Sequence, residues 1–195
     1  MNDLLFPPSA DVLLVRTATH HELARMIEPV HINGTVALLP FRTPLVRACI
    51  HETKFHQSQK AALLLGTVCR DSLISLPESE YILIPLPLSA ARYRERGYNQ
   101  ATEIARHAVT ELNHITIRED ILYRKRNTAP QTTLTKVDRE KNMKDAFAVK
   151  NPSTIQGKHL ILLDDVITTG ATIAAARAAL LPHAPASVTC IAVAH

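Results

Sequence analysis

The sequence predicts an α/β fold with a mostly parallel sheet and flanking helices. From Tyr81 onward, segments with strand-like and helix-like patterns alternate along the chain, as they do in βαβ units. Residues 81–85 and 160–163 are short apolar runs without polar alternation, which is typical of strands covered on both faces. With 195 residues, the chain is long enough for one domain with a sizeable core.

The first 80 residues contain weaker patterns, apart from one hairpin. Asn33-Gly34 lies between two apolar segments, and this dipeptide is a preferred two-residue turn because both positions tolerate a positive φ. Thr43-Pro44 is a typical helix start. The predicted elements are a strand at residues 12–15, a helical turn or two at 20–27, a hairpin at 30–39, and helices at 43–53 and 59–73.

The chain after residue 80 has clearer periodicity. Apolar residues recur at helical spacing from Ala101 to Leu112, and an Ala-rich apolar segment begins near Thr172. Residues 124–144 are polar and basic without a clear period, which indicates a long loop. The predicted elements are strands at residues 81–85, 115–117, 121–123, 147–149, 160–163 and 188–193, and helices at 99–112 and 173–181.

Composition limits the class of protein. The net charge of +4 and the pI near 9.1 permit an anionic ligand, either a phosphate compound or a nucleic acid. The three cysteines are far apart in apolar surroundings, so we predict reduced, buried side chains and a cytoplasmic location. No apolar run approaches the length of a membrane span, and the chain is not expected to insert into a membrane.

Residues 159–172 are the most informative stretch. Asp164 and Asp165 follow the apolar run where the strand should end, and a short turn rich in hydroxyl groups comes next. The N–H groups at the start of the following helix form an anion site, so a monoester phosphate is predicted there. The threonines that add donors to this phosphate are Thr168, Thr169 and Thr172.

The two aspartates need a different partner, because adjacent carboxylates would repel the same phosphate. Vicinal ribose hydroxyls suit them, since hydroxyls donate hydrogen bonds to carboxylates. The chain has only five glycines and contains no G-x-G-x-x-G or G-x-x-x-x-G-K-[ST] motif, so other phosphate loops fit poorly. These residues indicate a phosphorylated sugar. A buried strand whose acidic residues cap the next helix is the simpler alternative.

The loop after residues 81–85 contains three arginines that alternate in a short segment, Arg92, Arg94 and Arg96. This loop should meet the two aspartates, since ligands bind at the carboxyl ends of parallel strands. Guanidinium groups pair bidentately with phosphate oxygens, so we predict a pyrophosphate clamp; an exposed basic loop is the alternative. Two roles, a solvated connection or a ligand contact, remain open for Lys54, His56 and Lys60.

Residues 160–172 resemble the phosphoribosyl-pyrophosphate motif of type I phosphoribosyltransferases: four apolar residues, Asp-Asp, two spacers and Thr-Thr-Gly-x-Thr. Further motifs, in order along the chain, resemble the ComF family, and this resemblance covers about residues 36–195. They are Leu39-Pro-Phe-Arg-x-Pro-Leu-Val46, Pro85-x-Pro-Leu, Arg94-x-Arg-Gly-Tyr-Asn-Gln100, Arg126-x-Thr-x-x-Gln-Thr-x-Leu134, Arg139-x-x-Asn142 and Ala146-Phe147.

The resemblance implies a type I phosphoribosyltransferase fold with a small N-terminal hood-like segment. It divides the chain into a degenerate N-terminal segment, residues 1–40, and a phosphoribosyltransferase-like domain, residues 41–195. Asp164 and Asp165, the expected catalytic pair, would hold the ribose hydroxyls, and magnesium would bridge pyrophosphate and ribose oxygens. The other expected substrate contacts are Val166, Ile167, Thr168, Thr169, Gly170, Ala171 and Thr172 for the 5-phosphate, and Arg92, Arg94 and Arg96 for the pyrophosphate.

Two function classes remain open. In the first, the protein binds phosphoribosyl pyrophosphate or a related sugar phosphate and transfers the phosphoribosyl group to a nitrogenous acceptor. In the second, it is a non-catalytic sugar-phosphate sensor, or a competence protein that binds single-stranded DNA; a homodimer is compatible with either. The long polar loop is expected to close over the substrate as a lid. Its expected lid residues are Thr128, Gln131, Thr132 and Arg139.

One departure from the family pattern concerns metal binding. Many ComF proteins begin with a Cys-x-x-Cys zinc module, whereas residues 1–40 contain no cysteine. The histidines of this segment, His20, His21 and His31, are not expected to bind metal without thiolates. The sequence therefore predicts no protein metal ligands and no stoichiometric zinc.

Overall fold

The computed structural model describes residues 8–125 and 146–195. Its strands include the core segments predicted from the apolar runs. They are β1 (Val30–Ile32), β2 (Thr35–Leu39), β3 (Tyr81–Pro85), β4 (Ile115–Ile117), β5 (Leu122–Arg124), β6 (Phe147–Val149), β7 (His159–Val166) and β8 (Ser187–Ala194).

Six of these strands form one sheet with the order β1-β2-β8-β7-β3-β4, and β5 and β6 pair separately. Neighbouring strands of the large sheet are parallel, except for the antiparallel hairpin of β1 and β2. Pro85 of β3 lies opposite Leu163 of β7, and the N–H of Leu86 donates to the Leu163 carbonyl at 2.8 Å. The loop after β3 therefore begins beside Asp164.

Helices cover both faces of the sheet. Along β7, Ile161 and Leu163 belong to one core and Leu160 and Leu162 to the other, so alternate residues point to opposite faces. All four are buried, which explains the uninterrupted apolar run. The helices are α1 (Ala10–Thr17), α2 (His20–Ala24), α3 (Pro44–His56), α4 (Gln59–Ile74), α5 (Ala90–Arg96), α6 (Gln100–Ala108) and α7 (Ala171–Leu180).

The first core lies under α1 to α4 and α6, and α7 packs in the second. None of the helices within residues 8–125 and 146–195 has the length and hydropathy that a bilayer span requires.

The hairpin predicted at residues 30–39 is confirmed, and it joins the main sheet. Asn33 and Gly34 form its turn with φ angles of 49° and 78°. β2 then pairs in parallel with β8, from Thr35 opposite Cys190 onward. The division of the chain at residue 40 stays a prediction about sequence patterns. In the structure, residues on both sides of it share this sheet.

Two predictions of local structure are wrong. Residues 12–15, predicted as a strand, lie in α1, whose start is capped because the Ser9 hydroxyl accepts from the N–H of Val12 at 3.3 Å. The arginine segment, predicted as a loop, is helix α5, which Ser89 caps in the same way and which ends at Arg96, before Gly97. In both segments a serine cap precedes good helix formers, and these local preferences decide the conformation.

The remaining differences are at element ends. Helix α6 stops at Ala108, four residues before the predicted end, and β5 begins one residue later than predicted. The predicted lid residues lie outside the described part of the chain, and the lid stays a prediction: Thr128, Gln131, Thr132 and Arg139.

Candidate functional site

A cavity of about 520 Å³ opens at the carboxyl ends of β3 and β7. This is the edge at which an open parallel sheet binds its ligands. Its lining comes from α3, α5, α6, β5, the loop after β3, the end of β7 and the start of α7. The predicted site residues that the structure brings together here are Arg92, Arg96, Asp164, Asp165, Val166, Thr168 and Thr172.

Backbone and side-chain donors hold both aspartates in place. Asp164 Oδ1 accepts from the N–H of Asp165 at 2.9 Å, and Asp165 Oδ1 accepts from the N–H of Val166 at 2.8 Å. The second oxygen of Asp165 accepts from Gln100 Nε2 at 2.8 Å. Asp165 is therefore oriented both by its own strand and by helix α6.

The electrostatics of Asp164 favour a partner that brings positive charge or hydrogen-bond donors. Burial raises the pKa of the Asp164 carboxyl well above its usual range, and the charge of the adjacent Asp165 raises it further. The Arg124 guanidinium acts in the opposite direction on this pKa. Burial and the neighbouring Arg92 lower the pKa of Arg124 in turn. A diol or a cation bound here would stabilise the ionised Asp164.

The start of α7, where the sequence predicts an anion site, lines the cavity through Thr172. The first N–H groups of a helix have no intrahelical acceptor, and they lie here beside Thr168 and Thr172. The other four predicted residues of this segment do not line the cavity: Ile167, Thr169, Gly170 and Ala171. Ile167 is buried in the second core, and the Thr169 hydroxyl accepts from the N–H of Ala171 at 3.4 Å.

Gly170 is required by the shape of the turn before α7. Its φ is 75°, in the left-handed region that favours glycine, and a Cβ there would lie 3.2 Å from Ile167 Cδ1. On the outer side of the turn, Asn33 Nδ2 donates to the Thr169 carbonyl at 2.7 Å. The turn of the N-terminal hairpin thus contacts the predicted phosphate site.

Two of the three predicted arginines face the aspartates. Arg92 and Arg96 are one helical turn apart on α5 and line the cavity, whereas Arg94 does not line it. The Arg96 guanidinium lies 5.6 Å from the centre of the Phe55 ring. Its Nε and Nη1 atoms are buried and have no hydrogen-bond partner among residues 8–125 and 146–195. Phosphate oxygens are suitable acceptors for such atoms.

Among the charged and amide side chains of the lining, sequence reasoning did not assign a role to Gln100 or Arg124 and left that of Lys54 open. Gln100 is the first residue of α6 and is only 4% exposed, although a polar residue on an amphipathic helix is usually expected on its exposed face. Its side chain orients Asp165. Arg124 reaches the cavity because β5 pairs with β6, where its guanidinium lies 5.4 Å from the Phe147 ring centre. The sequence did contain one indication of a role for Gln100, because this residue ends the family motif that begins at Arg94.

Comparisons with known proteins show the family. The phosphoribosyl transferase domain family matches residues 94–195, just over half of the chain. The DNA utilization protein YhgH of Shigella flexneri is 30% identical over 184 residues, which cover 90% of this chain and 78% of that protein. The competence protein ComFC of Bacillus subtilis is 35% identical over 111 residues, which cover 57% of this chain and 42% of ComFC. This chain belongs to the ComF family of phosphoribosyltransferase-like proteins.

The ComF-family assignment and the parallel sheet confirm the predicted type I phosphoribosyltransferase-like fold. Solved structures similar to this ComF-family chain include a hypoxanthine phosphoribosyltransferase from Staphylococcus aureus. It is 12% identical with a TM-score of 0.42, and the match covers 69% of this chain and 63% of that chain. A hypoxanthine-guanine phosphoribosyltransferase from Bacillus anthracis has 16% identity, a TM-score of 0.45 and 69% coverage of each chain.

Proposed function

We propose that the cavity binds phosphoribosyl pyrophosphate, or a related sugar phosphate, together with magnesium. One observation carries this proposal: Asp164 and Asp165 share a single cavity with Arg92 and Arg96. The carboxylates suit the ribose hydroxyls, and the guanidinium groups suit the pyrophosphate. The start of α7 suits the 5-phosphate.

The donor set of the cavity fits magnesium. This ion prefers oxygen ligands and keeps several of its waters, so it needs few ligands from the protein. Asp164 and Asp165 offer only oxygen atoms, and they lie in the cavity whose arginines would hold the pyrophosphate. Bound magnesium would neutralise part of the pyrophosphate charge.

We infer that the bound sugar phosphate is the donor in a transfer to a nitrogenous acceptor. The nitrogen lone pair forms a bond to the anomeric carbon, and the bond from that carbon to the pyrophosphate oxygen breaks with both electrons leaving on pyrophosphate. The acceptor nitrogen then loses a proton. Arg92 and Arg96 would stabilise the charge that develops on the leaving group, and the two aspartates would orient the ribose.

Isothermal titration calorimetry with phosphoribosyl pyrophosphate and magnesium tests this proposal. The double variant Asp164→Asn/Asp165→Asn should bind at least about tenfold more weakly than the wild type, a loss of roughly 1.4 kcal/mol or more. Asp120→Asn is the control, because Asp120 pairs with Arg118 outside the cavity and its loss should leave binding unchanged. Equal affinity of the wild type and the double variant would contradict the site assignment.

A second candidate function is supported by the names of the relatives. YhgH is called a DNA utilization protein and ComFC a competence protein. In this candidate, the protein senses a sugar phosphate without chemistry or binds single-stranded DNA, for which Lys54, Arg92, Arg96 and Arg124 provide positive charge at one cavity. Steep salt dependence of DNA binding would support it. Pyrophosphate release that depends on one small nitrogenous molecule would instead support the transfer of a phosphoribosyl group.

We also propose that the protein is located in the cytoplasm. That it forms a homodimer stays a prediction. The location is favoured by the three cysteines, which are free and buried.

A further inference from the structure

The end of α3 brings together three metal-ligating side chains. His51 Nδ1, Glu52 Oε1 and His56 Nε2 all lie within 4.8 Å of one another. Glu52 Oε1 is 3.8 Å from the His51 nitrogen and 3.9 Å from the His56 nitrogen. Neither this group nor its position follows from the proposed function.

Glu52 distinguishes this group from an ordinary surface ion pair. Its side chain is only 5% exposed, whereas the two histidines are largely accessible. Glu52 Oε1 is buried and has no hydrogen-bond partner within residues 8–125 and 146–195, since both imidazole nitrogens lie beyond hydrogen-bond range. A buried carboxylate oxygen without a partner costs free energy. A cation held between the three groups would remove that cost.

Helix geometry explains how the three side chains meet. Glu52 and His56 are four residues apart on α3 and therefore share a face. The His51 ring reaches the same place from the adjacent position, because its centre lies 5.6 Å from the centre of the His56 ring. Asp11 of α1 approaches the same place, because its Oδ2 atom lies 3.4 Å from His51 Nδ1. A fourth protein ligand is thus within reach of an ion bound by the other three.

We propose that His51, Glu52 and His56 form a zinc-binding site, with Asp11 as the nearest further ligand. Two imidazole nitrogens and a carboxylate are a common zinc ligand set. With bonds of about 2.0–2.2 Å, tetrahedral ligand atoms lie roughly 3.3–3.5 Å apart, so small side-chain rotations would bring these atoms to a shared ion. Magnesium is a poor match, because it prefers oxygen ligands.

This site is different from the N-terminal zinc module of other ComF proteins, which residues 1–40 lack. The prediction of no stoichiometric zinc rested on the missing cysteines and on His20, His21 and His31, none of which takes part here. The spacing His-Glu-x-x-x-His does not match a familiar zinc motif, so only the fold shows that the three ligands meet.

The position gives the ion a structural role beside the cavity. Lys54 lies between Glu52 and His56 in sequence and lines the candidate substrate cavity. His56 lines an adjoining recess of about 310 Å³ together with Lys54 and Arg96. Zinc at this site would join α1 to the last turn of α3, and it would thereby hold the segment that carries Lys54.

Zinc titration of the full chain after chelator treatment tests the proposal. Calorimetry and metal analysis should give one zinc per wild-type chain, and zinc should raise the thermal unfolding temperature. His56→Ala removes an exposed ligand, and Glu52→Gln keeps the shape of the buried one while removing its charge. Each change should weaken zinc binding by about 10- to 100-fold or more and abolish the zinc-dependent stabilisation. If Glu52→Gln fails to fold by circular dichroism, His56→Ala decides the outcome.

His20→Ala is the matched control. His20 also faces a carboxylate, with Nε2 3.1 Å from Asp71 Oδ2, but it belongs to no group of three such ligands in the described part of the chain. Its loss should leave zinc affinity unchanged. The proposal is overturned if the wild type binds no zinc, if His56→Ala binds it as tightly as the wild type, or if His20→Ala loses as much affinity as the other variants.

Discussion

Asp164 holds its carboxyl where burial and the charge of Asp165 favour the neutral form, which raises its pKa. A group whose pKa is higher in the folded state contributes stability that is fully present below its unfolded pKa. That contribution is lost as the pH rises through the folded pKa. That loss is under way at neutral pH, which is above the unfolded pKa, so Asp164 lowers the free energy of unfolding there relative to acid. A bound diol or cation that favours the carboxylate would offset this loss.

Replacing Asp164 with asparagine should make the ligand-free protein more stable while weakening its binding of phosphoribosyl pyrophosphate. Asparagine has nearly the shape of the neutral carboxyl and cannot ionise. We expect the melting temperature at pH 7 to rise by roughly 2–4 °C, the shift that about 1 kcal/mol produces in a chain of this size. The difference from the wild type should shrink in acid, where Asp164 is protonated. Differential scanning fluorimetry over a pH series measures both effects.

Asp165→Asn is the control for this comparison. Asp165 accepts hydrogen bonds from Val166 N and Gln100 Nε2 through its two oxygens, and an amide can accept through only one end. The melting temperature should therefore stay the same or fall. A melting temperature of Asp164→Asn below that of the wild type at pH 7 would show that the Asp164 carboxylate stabilises the fold.

The aspartate segment of the candidate site and the arginines that follow β3 could be predicted, whereas contributions from three other elements could not. Asp164 and Asp165 were recognisable because a buried strand, a turn and a helix start follow one another directly. Lys54, Gln100 and Arg124 come from three other elements. Their meeting depends on how α3, α6 and β5 pack, which local patterns do not encode.

At the scale of elements, α5 changes which arginines act together. On an extended segment, Arg92, Arg94 and Arg96 would share one side. On a helix, the first and last share a face and the middle one points away. This helix could not be predicted from hydrophobic periodicity, because none of its residues is buried and it therefore has no apolar stripe. By contrast, β3, β7 and β8 were predictable because both of their faces are covered.

Because the arginines lie on a helix, removal of Arg92 or Arg96 should affect ligand binding and removal of Arg94 should not. An extended loop would give all three the same effect. Arg92→Ala and Arg96→Ala should each weaken phosphoribosyl-pyrophosphate binding by about 10- to 150-fold, since a charge-assisted hydrogen bond contributes roughly 1.5–3 kcal/mol. Ribose 5-phosphate binding should be spared, because that ligand lacks the pyrophosphate. Calorimetry with the two ligands measures the difference.

Arg94→Ala is the matched control for the arginine pair, with the same charge change on the same helix but outside the cavity lining. It should bind both ligands as the wild type does. A loss at Arg94 equal to that at Arg92 would contradict the clamp. If the pair contacts DNA instead, its removal should flatten the salt dependence of DNA binding by about one unit for each lost phosphate contact.

At the scale of the whole molecule, the N-terminal hairpin contacts the turn that is predicted to bind phosphate. The hydrogen bond from Asn33 to the Thr169 carbonyl joins residues 136 positions apart. A Cβ on Gly170 would lie 3.4 Å from Asn33 Cβ and 3.5 Å from Ile32 Cγ2, so the two turns are in close contact. A hairpin near the N-terminus thus contacts the clearest predicted site, more than 130 residues along the chain.

Removing the Asn33 amide donor should weaken ribose 5-phosphate binding. Asn33→Asp and Asn33→Gly both tolerate the positive φ at this position, and neither can donate to the Thr169 carbonyl. We expect each to bind about 2- to 10-fold more weakly, as the loss of one hydrogen bond implies. Calorimetry on both variants separates the missing donor from the added charge of aspartate. Wild-type affinity in both would show that the hairpin does not hold the turn.

The strands follow one order along the chain and another in the sheet. β8 is synthesised after the other five strands of the large sheet, yet it lies between β2 and β7. Until Ser187–Ala194 has left the ribosome, β2 pairs only with β1, and β7 has an open hydrogen-bonding edge. Pairings this distant in sequence form slowly, and open edges attract other chains. The incomplete nascent chain is therefore the form of this protein most exposed to aggregation.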